Sequence, residues 1–198
     1  EKNKKAISIK TGSLPVVKYI SAKNFRKRRK IKIPKAKWIK DPIKLVNKKD
    51  VDIIVELIGG SDGIAKRLVA AALSNKKHVV TANKALIAEH GNEIFALARD
   101  QGLTVAFEAA VGGGISVIKV LREGLAGNRI NRIAGIINGT SNYILTGMLE
   151  NHIDFPEGLK EAQRLGYAEN DPAFDIEGTD GAHKLAILAS VAYGIPLK

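Results

Sequence analysis

VDIIVELIGGSDGIAKRLVAAALSNKKHVVTANKALIAEH, residues 51–90, decides the fold. Val51 to Leu57 is an apolar run that reads as a buried strand, and Gly59-Gly60 ends it. Gly63 to Lys77 then reads as a helix, with Ile64, Leu68, Ala71 and Ala72 on one side. His78 to Thr81 is a short strand. Asn83 can cap a second helix from Lys84 to about Arg99, and Leu103 to Glu108 is another strand. Strands alternating with helices of this length predict a parallel sheet of βαβ units. Doubly wound sheets of this kind often bind dinucleotides at the carboxyl ends of their strands. Gly59-Gly60 and Thr81-Ala82-Asn83-Lys84 lie at two such ends. Taken alone, the glycine pair is more simply a tight turn, and Lys84 a solvated lysine at a helix start.

Upstream, EKNKKAISIKTG reads as the tail of a polar helix ending at Gly12, followed by a strand from Leu14 to Ile20. A basic stretch runs from Lys23 to Lys37 and includes RKRRK at 26–30. Asp41 to Asn47 reads as a short helix with Pro42 in its first turn. The net charge of +12 is uneven. Residues 1–50 hold 18 Lys/Arg against 3 Asp/Glu, and the rest hold 14 against 17. Three readings of the basic stretch stand side by side. It is a solvated basic face, or Lys23, Arg26 or Lys27 meets a cofactor 2′-phosphate, or the cluster neutralises nucleic-acid phosphates. Phe25 and Trp38 are too few aromatics for a stacking platform, which makes nucleic acid the weakest of the three.

A Rossmann fold opens with a strand and a Gly-rich turn that holds the pyrophosphate. No such pair precedes residues 1–12, and Gly112-Gly113-Gly114 follows a late strand. The expectation is therefore an internal fragment. The chain has 198 residues, 45% hydrophobic and 26% charged, as in a soluble globular protein. No apolar run approaches the ~18 residues of a membrane span, and no signal peptide is visible. Cysteine is absent, which removes disulfides, thiolate nucleophiles and Cys-based zinc sites. A cytoplasmic protein is expected.

Downstream, the pattern changes at Ile115. Ile115 to Leu125 reads as a helix, Arg129 to Asn138 as a strand, and Thr140 to Glu150 and Pro156 to Leu165 as helices. GYAENDPAFDIEGTDGAHK follows at 166–184, with Glu169, Asp171, Asp175, Glu177 and Asp180. Folding rarely gathers so many like charges, because neighbouring carboxylates oppose one another. Asp171-Pro172 and Gly178 mark a loop, and Thr179 to Val191 a helix. Asp180 and Lys184 are four apart and share a face. Elsewhere that spacing is ordinarily a solvated ion pair. Here it suits a small, polar, amine-bearing substrate. The fold class expected is α/β, with a partial Rossmann-type nucleotide-binding domain at 1–114 and the start of an α+β substrate domain at 115–198.

The pattern Ala162-x-x-x-Gly166-Tyr167-Ala168-x-x-Asp171-Pro172-x-x-Asp175-Ile176-x-Gly178-x-Asp180-x-x-x-Lys184 resembles the signature of the homoserine dehydrogenases. VELIGG (55–60), HVVTANKAL (78–86), FEAAVGGGI (107–115), LREGLAGNRI (121–130) and INGTSNYILT (137–146) extend the resemblance over about residues 50 to 193.

The resemblance implies NAD(P)H-dependent reduction of L-aspartate 4-semialdehyde to L-homoserine, in threonine, methionine and isoleucine biosynthesis. It implies a homodimer, and no membrane partner. Lys184 is the expected catalytic acid, since a lysine ammonium both stabilises an alkoxide and donates a proton. Glu169 and Asp180 would recognise the substrate amine or hydroxyl, with Tyr167, Thr140 and Asp175 beside them. Thr140 is equally an ordinary cap, and Asp175 equally a loop charge. Ile58, Gly59, Asn83, Lys84, Gly166 and Lys23 would meet NAD or NADP. Glu108 and the carbonyls of Val111, Gly113 and Ile115 resemble the family's sodium site, or form a metal-free turn. Gly112 and Ser116 stand where many relatives have Ala and Pro. The competing reading is a catalytically inactive remnant with polyanion affinity.

Overall fold

The computed structural model describes residues 3–24 and 37–197, and of Lys37 only the backbone. The basic cluster at 26–30 lies outside the described residues. Helix α1, Lys4–Thr11, stops at Gly12, whose φ of 69° lets its N–H reach the Ser8 carbonyl at 2.9 Å. Few residues other than glycine adopt that backbone cheaply. Of the strand expected from Leu14, Tyr19–Ile20 forms β1, paired in parallel with β2, Lys37–Trp38. The predicted short helix is a 3₁₀ turn, Pro42–Leu45, capped by Asp41 through Ile43 N–H at 3.0 Å.

The central unit is β3 (Ile53–Glu56), α2 (Ile64–Ser74), β4 (His78–Thr81), α3 (Lys84–Asp100) and β5 (Val105–Ala106). The three strands are parallel, in the order β3-β4-β5, with Ile54 facing Val79 and Val79 facing Val105. Parallel neighbours joined by helices require right-handed crossovers, so consecutive strands in sequential order place α2 and α3 on one face. That face is the core, built by Ile54, Val79 and Val105 against Leu68, Val69, Leu73, Leu86, Ile87 and Ile94. The other face is open among the described residues, which corrects the expectation of a fully buried strand. Ile54 and Glu56 point inward, while Ile53 and Val55 are 52% and 58% exposed. The final strand is also shorter than expected, since Glu108 already begins helix α4, Glu108–Val111.

Helix α5 starts at Val117–Lys119 and continues through a wider π turn, Val120–Gly124. The strand expected over Arg129–Asn138 does not form. A strand exists through its partner, and among the described residues none pairs with this segment. Helices α6 (Gly139–Asn151) and α7 (Phe155–Leu165) pack on one another around Ile144 and Ala162. Gly158 permits the approach, because a Cβ there would sit 3.1 Å from the Ile144 side chain. Within the acidic loop lies one unexpected helical turn, α8, Ala173–Ile176. Helix α9, Thr179–Tyr193, sends Ile187 and Leu188 into the main core. Beyond it, Asn92 on α3 exchanges two hydrogen bonds with the Leu197 backbone, at 2.8 and 3.0 Å. At the other end, the Lys84–Asp180 pair sets the first turn of α9 beside the first turn of α3.

Candidate active site

The corner between sheet and helices is built on Glu56, at the end of β3. Its side chain is fully buried. Oε1 accepts the N–H groups of Ile58 (2.6 Å) and Gly59 (3.2 Å), and Oε2 accepts the Thr81 hydroxyl at 2.6 Å. Buried carboxylates persist only when donors replace water, and three do so here. Gly59 and Gly60 turn the chain with φ of 85° and 78°. A Cβ built on either meets nothing within 4 Å, so the space above the turn is open. The Asn83 side chain closes the corner. Its Nδ2 donates to the Gly60 carbonyl at 2.7 Å, and its Oδ1 accepts Leu86 N–H at 3.1 Å as the predicted cap of α3.

Lys84 is the first residue of α3, where the helix dipole opposes a positive charge. Two groups compensate. Lys84 Nζ is bonded to Asp180 Oδ1, and the Phe174 ring lies 4.7 Å from the ammonium. Such stacking is worth about 0.5–2 kcal/mol, depending on desolvation. Asp180 itself sits in the first turn of α9, where that helix favours a carboxylate.

Asp180 is the hub. Oδ2 accepts Lys184 Nζ at 2.9 Å and Asn138 Nδ2 at 2.9 Å. Only 7% of the residue is exposed. Burial works against its charge, but the ammonium of Lys84, that of Lys184 and the Asn138 amide outweigh it and hold its carboxyl at about 2. Lys184 Nζ also donates to the Ile137 carbonyl at 2.7 Å. Asp180 is thus shared by two ammonium groups, and Asp175, joined to it through Asn138, brings a second carboxylate to the same cluster.

The other sequence-predicted residues are placed unevenly. Asp175 accepts Asn138 Nδ2 on one oxygen and the Thr140 hydroxyl on the other, both at 2.9 Å. Thr140 Oγ also lies 2.7 Å from the Tyr167 carbonyl. Asp175 and Thr140 therefore hold the loop to the start of α6 and join the hub through Asn138. Gly166 ends α7 in the left-handed region, with φ of 79°. The Tyr167 ring is exposed and stacks on Tyr143 at 4.9 Å. Glu169 is exposed, and its backbone carbonyl accepts from Gln163. Ile58 is half-exposed at the mouth of the glycine turn, and Lys23 is exposed. Asn138-Gly139-Thr140 is a segment the sequence already marks as a helix start, but the cap is Asn138, not Thr140: its Oδ1 accepts Ser141 N–H at 2.7 Å. Two contributors went unread in the sequence: Glu56 and Phe174. A lone acid inside an apolar run signals the first, and Phe174 gives no signal of its own.

Glu108 accepts Ile118 N–H on one oxygen (2.8 Å) and Lys119 N–H on the other (2.9 Å), tying the glycine turn to α5. Each oxygen keeps a lone pair, and carboxylate and carbonyl oxygens are the donor type a hard cation takes, although the Ile115 carbonyl also accepts Val117 N–H at 2.9 Å. Among the described residues one group of three, Asp62, Glu89 and His90, brings side-chain ligand atoms within 4.8 Å of one another. Lys66 Nζ lies 3.1 Å from His90 Nδ1. That nitrogen must therefore accept, leaving Nε2–H to face Asp62 at 3.1 Å. A metal-bound imidazole needs its free N–H turned to an acceptor. His90 is thus a hydrogen-bonded link between Lys66 and Asp62.

Comparison with known proteins gives a consistent result. The family model for homoserine dehydrogenase, NAD binding domain, matches residues 5–108, and that for homoserine dehydrogenase matches residues 117–198. A homoserine dehydrogenase from Neisseria gonorrhoeae is 61% identical over 164 residues, which is 83% of this chain and 38% of the relative. One from Pseudomonas aeruginosa is 66% identical over 149 residues, 75% of this chain and 34% of the relative. The crystal structure of a homoserine dehydrogenase from Thiobacillus denitrificans superposes with a TM-score of 0.94 at 51% identity, covering 100% of this chain and 45% of that one. A hyperthermophilic archaeal homoserine dehydrogenase in complex with NADPH superposes at 0.73 with 31% identity, covering 98% and 56%. The chain spans well under half the length of these two curated relatives.

Proposed function

We propose that this chain, which belongs to the homoserine dehydrogenase family, carries the proton-donating part of a site that reduces L-aspartate 4-semialdehyde to L-homoserine. The observation that supports this best is the shared carboxylate, Asp180, which joins Lys84 at the end of the parallel sheet to Lys184 on α9. NADPH or NADH supplies the hydride when bound. The open glycine turn at Ile58-Gly59, with Asn83 and Lys84 behind it, fits that cofactor, and Gly166 and Lys23 extend the binding surface. Lys184 Nζ gives its proton to the aldehyde oxygen as negative charge develops there. Asp180 and the Ile137 carbonyl aim that ammonium. Lys84 keeps Asp180 ionised. Glu169, Tyr167 and the backbone amide of Thr140 meet the amino-acid end of the substrate, with Asp175 holding the Thr140 hydroxyl. Residues 1–114 hold the cofactor, and 115–198 begin the substrate and dimerisation domain. A sodium ion is held by Glu108 with the carbonyls of Val111, Gly113 and Ile115.

The test is Lys184→Met in a chimera where residues 1–198 replace the equivalent segment of the Thiobacillus denitrificans enzyme. Loss of a general acid lowers kcat by roughly 10²–10⁴-fold, with a smaller change in substrate KM. Lys184→Arg rescues poorly, since guanidinium releases no proton near neutrality. Near-parental turnover by Lys184→Met would remove Lys184 from the mechanism.

A further inference from the structure

We infer that Asn138 is a positioning residue for the Asp180–Lys184 pair, through its side-chain amide and not merely as the cap of α6. The inference rests on Lys184 being the proton donor proposed above. Both N–H bonds of the amide and one lone pair of its oxygen are engaged. Oδ1 accepts Ser141 N–H at 2.7 Å, which caps α6. The two N–H bonds of Nδ2 go to Asp175 Oδ1 and Asp180 Oδ2, each at 2.9 Å. The neighbours fix this orientation, because a flipped amide would press its oxygen against two carboxylates. The preceding residue completes the grip: the Ile137 carbonyl accepts from Lys184 Nζ at 2.7 Å. Two consecutive residues thus hold both members of the pair, one through a donor and one through an acceptor.

Capping does not require asparagine. Serine and aspartate cap about as well. What the amide alone adds is a neutral donor wedged between Asp175 and Asp180. Without it, Asp180 loses one of its two partners on Oδ2 and faces Asp175 across a gap. The carboxylate is then free to turn, and the ammonium of Lys184 turns with it. Lys84 holds the other oxygen, so the pair loosens without being lost.

Asn138→Ser keeps the cap and removes the donor, whereas Asn138→Asp keeps the cap and replaces the donor with a charge. In the 198-residue chain, ¹³C-carboxyl titration of Asp180, assigned with Asp180→Asn, reads the contact directly. We expect a higher titration midpoint in Asn138→Ser and a higher one still in Asn138→Asp. In the chimera, Asn138→Ser should lower kcat by about tenfold, the size of one lost hydrogen bond to a charged group, with substrate KM changed less. An unmoved Asp180 midpoint in Asn138→Ser overturns the inference. So does a moved midpoint with parental kcat, which would leave the contact purely structural. If Lys184→Met keeps its turnover while the Asp180 midpoint still moves, the proton-donor reading has failed and the contact between Asn138 and Asp180 stands.

Discussion

Asp180→Asn should unmask how much one carboxylate contributes to the fold. In the wild-type chain this carboxyl is lowered from 3.8 to about 2, chiefly by Lys84, Lys184 and Asn138 acting against burial. A gap of that size corresponds to about 2 kcal/mol. Because the folded value is the depressed one, the contribution is fully present above pH ~4 and disappears as the pH falls toward 2. The substitution does more than remove it. Lys84 and Lys184, whose side chains are only 18% and 19% exposed, are left facing each other without a counter-ion. Removing one partner of a buried pair is costly for that reason, so the total loss at pH 7 should be roughly 2–4 kcal/mol. Urea unfolding of both chains at pH 7, 5, 4 and 3 measures it. The difference should be largest at pH 7, hold to about pH 4, and shrink below it as wild-type Asp180 takes up a proton and comes to resemble asparagine. A difference under ~0.5 kcal/mol at pH 7, the range of an exposed pair, would refute the buried hub. A difference that does not change with pH would refute the electrostatic account.

Two further outcomes concern the cofactor and the cation. If Lys23 meets the 2′-phosphate, Lys23→Ala in the chimera should raise the KM for NADPH several-fold and leave that for NADH nearly unchanged, and equal changes in both would mean a general field effect. Sodium should raise the Tm of the chain above that in an equal concentration of choline chloride, by linkage, and Glu108→Gln should abolish the difference; equal melting in both salts would set the cation aside.

Much of the fold follows from patterns that act over one or two turns of chain. Asn83 capping α3, Pro42 opening its turn and Gly12 ending α1 are local chemistry, and each was legible. So was the pairing of Asp180 with Lys184, because four residues of helix fix it. The contacts that escaped reading are long-range. Lys84 and Asp180 are 96 positions apart, and no periodicity links them; only the packing of α9 on α3 does. The failed strand at Arg129–Asn138 has the same origin. Its four isoleucines in ten residues suit a strand, but pairing is a property of two segments, and the sequence of one does not reveal whether the other lies beside it. The exposed side of β3 is likewise a matter of strand order. Glu56 escaped for another reason: an acid in an apolar run is expected to point outward, and only the convergence of Ile58, Gly59 and Thr81 on it explains why it points in.

The attachment of α9 has a mechanical consequence. A helix pinned at one place can pivot, whereas one pinned at both ends cannot. The segment from Asp180 to Leu197 is fastened to α3 at each end, by Lys84 at one and by Asn92 at the other. Between them, Gly91 leaves so little room that a Cβ there would lie 2.3 Å from the Leu197 side chain. Lys184 and the sheet corner are therefore held in one rigid piece. Helix α6 reaches this piece through the Asn138 bond to Asp180, and α8 through Phe174, which packs on Lys84 and on His183.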